Sequence, residues 1–206
     1  MSTPNVYRDL KKQIILLDYK PGAVIREKEV MEKFGVSRTP VREALMRLEM
    51  DGLVRIIPNV GTFAEDVSFQ QLKDVLETYD YLVRLSGTLA AERITEKELD
   101  EIRKRISAMK QSQDAKVLMR LDGEIHQIIN DSTKNKVLIK ILSGLYDQSM
   151  RIWVFAGAEG EYWKNLENQF VNIVNALEQR DGEMTARLLE EHTNDFVEHI
   201  RSQLAF

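Results

Sequence analysis

Arg38 and Arg42 stand four residues apart in the run Ser37-Arg38-Thr39-Pro40-Val41-Arg42. A guanidinium is a planar fork of donors that matches the O6/N7 edge of guanine, or a phosphate, with two parallel hydrogen bonds. A spacing of four puts both forks on one side of a helix, near the end where the peptide dipoles leave positive charge. Ser37 and Thr39 beside them add hydroxyl donors suited to phosphate oxygens. The chemistry on offer is recognition of duplex DNA, provided that other elements hold the helix rigidly. Without such a setting an arginine pair is more often a solvated helix face.

The neighbouring sequence supplies that setting. Val41, Ala44, Leu45 and Leu48 recur at i, i+3, i+4 and i+7, the packed face of a helix that Gly52 ends. Its start is capped by either Ser37 or Thr39, with Pro40 in the first turn, where a missing N–H costs nothing. A short helix over about 27–34 precedes it, and Gly35 suits the left-handed position after that helix. An earlier helix, Tyr7 to Leu17, carries apolar or aromatic residues at 7, 10, 14 and 17 and stops at Lys20-Pro21-Gly22. Downstream, Leu53–Ile57 and Thr62–Ala64 flank Pro58-Asn59-Val60-Gly61 as a hairpin, with Gly61 allowing close approach of the backbone to a phosphate. Helix, helix, helix, hairpin is the order of a winged helix-turn-helix.

From residue 68 onward the periodicity predicts helices alone, over about 69–92, 96–112, 114–131, 136–155, 161–179 and 183–204. Thr95 with Glu98 forms a capping box at one of these starts. The expected fold is therefore mainly α: a winged helix-turn-helix over 1–67, then an all-α bundle of six to seven helices over 68–206 that mediates dimerisation and can enclose a pocket. The net charge of −4 conceals an asymmetry: residues 1–70 hold 11 Lys and Arg against 10 Asp and Glu, and residues 71–206 hold 18 against 23. The acidic excess thus lies in the second part, leaving the first free to gather local positive charge. The chain has no cysteine, which removes disulfide, thiolate and zinc-finger chemistry and suits a cytoplasmic location. Neither a signal peptide nor an apolar run of spanning length is present, so no membrane role is expected.

The segment VSRTPVREALMRLEMDGLVRIIPNVGTF closely resembles the winged helix-turn-helix of the GntR family of bacterial transcription regulators, with a match from about Tyr7 to Ala64. The resemblance implies DNA contacts at Ser37, Arg38, Thr39, Arg42 and the wing residue Gly61, with Lys28 as the basic residue at the start of the second helix. It also implies a homodimer on a palindromic operator in double-stranded DNA. The helical part resembles the FCD domain of the FadR-like branch through Leu89-Ala90-Ala91, Asp122-x-x-x-His126 followed by Asn135, and Ala176-Leu177-Glu178-Gln179-Arg180-Asp181 followed by His192.

Many FCD domains hold a divalent metal with one Asp and three His. The resemblance places Asp122, His126 and His192 on three of those positions and Phe170 on the fourth. Asp122 and His126 lie one turn apart beside the stripe Leu118, Leu121, Ile125 and Ile129, and His192 lies in the stripe Leu188, Leu189, Phe196 and Ile200, so all three can face inward. His199, seven residues beyond His192, lies about 10 Å up the helix axis and does not replace the missing ligand. Zn, Ni, Fe or Mn suits a carboxylate with two imidazoles. The family also offers its pocket an Arg and a Glu where this chain has Tyr79 and Val83, leaving Arg151 as the anchor for a carboxylate effector. The implied function is a ligand-responsive regulator, a repressor, sensing a small carboxylate metabolite, and not an enzyme. The alternatives are an acyl-CoA-type sensor without metal, an Asp/His/His metalloenzyme, and three hydrogen-bonded core residues of no further function.

Overall fold

The computed structural model describes residues 6–157 and 162–203, and these fall into two compact units. One unit runs through Lys73 and adds Asp147–Phe155; the other comprises Asp74–Tyr146 and the residues from Ala156 onward.

In the first unit α1 (Val6–Ile15), α2 (Glu27–Phe34) and α3 (Arg38–Met50) precede a small sheet of β1 (Val24–Ile25), β2 (Val54–Ile57) and β3 (Gly61–Ala64). Val41, Ala44, Leu45 and Leu48 are all buried, as their spacing predicts. They share one core with Leu10 and Ile14 of α1, Val30 of α2 and Leu53 of the strand approach. Gly35 caps α2 at φ 64°, a left-handed conformation, and its N–H donates to Met31 O. The chain can therefore turn sharply into α3 within three residues. Ser37 is the N-cap of α3 in extended conformation, and Thr39 lies inside the first turn.

Two differences from the sequence reading have local causes. The first helix ends at Ile15 because Leu17 takes φ 61°, and its buried row begins at Val6, so Tyr7 lies only half-buried. The hairpin gains a third strand: β1 pairs antiparallel with β3 (Val24 opposite Phe63, Ile25 opposite Thr62), giving the order β1-β3-β2. Two residues are too few to show an alternating pattern.

The second unit contains most of α4 (Phe69–Arg93), all of α5 (Glu96–Met109) and α6 (Ala115–Ser132), the first half of α7 (Lys136–Ala156), α8 (Tyr162–Glu178) and α9 (Gly182–Gln203). The capping box is formed in full, with Thr95 Oγ1 accepting from Glu98 N and Glu98 Oε2 accepting from Thr95 N. Asp114 caps α6 by accepting from Lys116 N at 2.8 Å. Inward rows from these helices, among them Ile102, Leu121, Ile125, Phe170 and Leu189, merge into one apolar core. Among the described residues, no helix is long and apolar enough to cross a membrane.

Candidate functional site

Two groups of residues carry chemistry, one in each unit. In the first, Arg38 opens α3 and Arg42 follows one turn later, with side chains 65% and 59% exposed. Ser37, Thr39 and Lys28 are exposed as well, and Lys28 has Glu32 at 3.9 Å. The arginines stand over a groove of about 590 Å³ whose other wall is the β2–β3 turn, including Asn59, Val60 and Gly61. Asn59 and Gly61 have φ 61° and 153°, which bends the turn tightly between the paired residues Ile57 and Gly61. The arrangement brings five polar groups of α2 and α3 and the wing glycine to one unit's surface. Glu27 lies 15 residues before Arg42, beyond the reach of helical spacing, yet its carboxylate accepts from Arg42 Nε at 3.0 Å.

In the second unit Asp122, His126 and His192 converge with exposures of only 4, 5 and 3%. Asp122 and His126 project from adjacent turns of α6, and α9 brings His192 against them. The two Nε2 atoms are 3.1 Å apart, and Asp122 Oδ1 is 3.3 Å from that of His192 and 3.9 Å from that of His126. One point lies about 2 Å from all three atoms, the bond length of a first-row divalent ion to imidazole nitrogen or carboxylate oxygen.

The proton positions favour such an ion. Gln169 Nε2 donates to Asp195 Oδ2 at 2.6 Å, so the amide oxygen is the atom turned to His192 Nδ1, 2.9 Å away. An amide oxygen only accepts, so Nδ1 of His192 bears a proton and Nε2 is the atom turned into the cluster. Asp122 Oδ2 accepts from the Tyr146 hydroxyl at 2.9 Å, while Oδ1, buried and aimed inward, has no hydrogen-bond donor. Asp122 Oδ1 and the two Nε2 atoms face one another across the centre of the cluster. A divalent cation accepts all three donors at once. The residues present fit the group.

Electrostatics agree with the geometry. Burial pushes the His126 imidazole down to about 4, so it is neutral and able to ligate at neutral pH. Burial alone would raise the Asp122 carboxyl, but His126, His192 and the Tyr146 hydroxyl together hold it below the usual carboxylate range. Gly123 makes room for that hydroxyl, since a Cβ there would lie 2.7 Å from it. The Phe170 ring, fully buried, stands 5.0 Å from the His192 ring and 5.8 Å from that of His126. It is an apolar neighbour of the cluster, on the position that the family resemblance aligns with a fourth ligand. Tyr79 and Val83 are buried in the same core.

Arg151 is a buried residue of α7. It belongs to the first unit, is 2% exposed, and donates from Nη2 to the backbone oxygen of Glu65. Burial lowers its ordinarily very high pKa, and Nη2 holds the chain after β3. Tyr146 and Gln169 support the cluster through contacts that helical spacing alone does not specify.

A winged helix-turn-helix followed by a helical domain with a buried Asp–His cluster defines a class of DNA-binding transcription regulators. Residues 3–64 match the model for bacterial regulatory proteins of the gntR family, and residues 74–195 match the FCD domain. The chain belongs to the GntR family, in the branch that carries an FCD domain. The transcriptional repressor RspR of Escherichia coli is 26% identical over 95% of this chain and 87% of its own length. McbR of the same organism is 30% identical over 75% of this chain and 68% of its own. The solved structure of E. coli McbR/YncC superposes with a TM-score of 0.83 at 23% identity, over 97% of this chain and 96% of that one. The family and these relatives are transcription regulators and not enzymes, which removes the metalloenzyme alternative.

Proposed function

We propose that this regulator is a homodimeric repressor that reads a palindromic operator with Arg38 and Arg42 and responds to a small carboxylate held at a divalent metal on Asp122, His126 and His192. The observation that carries the sensor reading is the buried Asp122 Oδ1, which lacks a hydrogen-bond donor and faces two imidazole nitrogens. A carboxylate and two imidazoles leave coordination positions open, and a carboxylate ligand suits the hard share of such an ion's preference. The repressor sense is supported by RspR and by the probable D-xylose utilization operon transcriptional repressor of Paenarthrobacter nicotinovorans, 29% identical over 85% of this chain. Dimerisation follows from specificity, because a single recognition helix reads too few base pairs.

Two measurements test the halves of this proposal separately. Arg42→Ala is expected to weaken binding to a selected duplex by about 1–3 kcal/mol at fixed salt, the worth of one bidentate base contact. Unchanged affinity removes Arg42 from the reading face. For the sensor, Gln169→Ala is expected to weaken metal affinity by about 10- to 100-fold in calorimetric titration of the metal-stripped protein, because His192 loses the acceptor that fixes its tautomer. Equal affinities in the two proteins remove that role for Gln169.

A further inference from the structure

The two arginines of the reading face do not stand alone. Glu27, the first residue of α2, lies between them at the floor of the groove, with its side chain 30% exposed. Arg42 turns its Nε to that carboxylate, at 3.0 Å from Oε1 and 3.2 Å from Oε2. Arg38 brings its own Nε to 3.5 Å from Oε2. One carboxylate therefore hydrogen-bonds the Nε of Arg42 and pairs electrostatically with the Nε of Arg38.

A guanidinium has two edges able to make paired hydrogen bonds, one through Nε and one through the terminal nitrogens Nη1 and Nη2. With the Nε edges turned to Glu27, the terminal pairs of both arginines are left for other acceptors, and among the described residues none takes them. An exposed ion pair contributes little to folding. Its effect is felt on the bound partner. Guanine O6 and N7 carry partial charge and fit the terminal fork, whereas a phosphate brings a full negative charge towards the Glu27 carboxylate. Like charges placed together penalise the wrong contact more than the right one.

We propose that Glu27 is a specificity-determining positioning residue: it fixes Arg38 and Arg42 by their Nε edges, presents their terminal nitrogens to base edges, and withholds them from phosphates. This rests on Arg42 reading bases, and the test separates the two. The full chain would be titrated at fixed salt with two probes: the duplex most enriched from a random-sequence pool by the wild-type protein, and sonicated mixed-sequence DNA. Glu27→Gln keeps the side-chain volume and removes the charge. It is expected to bind mixed-sequence DNA about threefold more tightly, with a steeper salt dependence, because the released arginines engage phosphates. The ratio of selected to mixed-sequence affinity is expected to fall by about tenfold, the scale of one lost bidentate discrimination. Glu27→Asp, which restores the charge, is expected to recover part of that ratio.

A ratio within twofold of wild type in Glu27→Gln overturns the proposal, as does a proportional loss of both affinities, the signature of a purely structural role. If Arg42→Ala leaves the ratio unchanged, the base-reading assignment fails first and this proposal with it. If Arg42→Ala collapses the ratio while Glu27→Gln does not, only the role of Glu27 is lost.

Discussion

Wild-type protein is expected to purify with a divalent metal and, once stripped, to rise in thermal midpoint on addition of Zn²⁺ or Ni²⁺; Asp122→Ala is expected to do neither. Asp122 supplies the only anionic ligand of the cluster, and its Oδ1 is the atom left without a donor. Two neutral imidazoles can still bind a cation, but the site then carries no charge to offset the cation's loss of water. With free metal at about a hundred times its dissociation constant, the wild type gains about 2.7 kcal/mol of stability by mass action, and the variant forfeits it. The metal-free proteins are expected to differ much less. Alanine removes a buried charge that costs solvation, and the loss of an acceptor for Tyr146 offsets that gain. The variant is thus marked by a normal fold, near-normal metal-free stability and no response to metal. Elemental analysis beside thermal melts decides the matter: near-zero metal in both proteins, with no melting response in the wild type, removes the metal from the proposed function.

The parts of this molecule legible in its sequence are those set by local periodicity. The buried face of α3 follows from four apolar residues at helical spacing, and the start of α5 from a capping box; both are found as read. Asp122 and His126 share a face because they are four apart on one helix. The convergence of His192 on them, 66 residues later, depends on packing between α6 and α9, and only the family resemblance pointed to it. The same limit explains the omissions. Glu27 reaches Arg42 across the turn between two helices, Tyr146 reaches Asp122 from α7, and Gln169 reaches His192 from α8. Each is an ordinary residue for its helix, and nothing in its own neighbourhood marks it out. Arg151 is a further case: α7 buries it against the carbonyl of Glu65, a contact across 86 residues that its charge does not announce.

Acidification supplies a second test with a large effect. In the unfolded chain His126 takes up a proton near its ordinary value of about 6.5, whereas in the folded chain burial delays protonation until about pH 4. Between those values the unfolded state holds more protons than the folded state, so stability falls as pH falls. Above the upper value both states carry a neutral ring and His126 contributes no pH dependence. Asp122 opposes the shift, but burial among Phe170, Tyr146 and the neighbouring ring of His192 prevails. Across the whole window the loss amounts to about 3 kcal/mol, a large share of a typical domain's stability. Urea unfolding of chelator-treated protein at pH 7, 5.5 and 4.5 measures it, and His126→Gln, which has no titrating ring, isolates it from the carboxylates. The variant is expected to lose stability less steeply than wild type over this range. Parallel profiles would mean that His126 titrates alike in the folded and unfolded chains, and that its ring is not held neutral by the core. With the proposed metal bound, the wild-type profile is expected to steepen further, because every proton that captures a ligand nitrogen or Asp122 would also displace the ion.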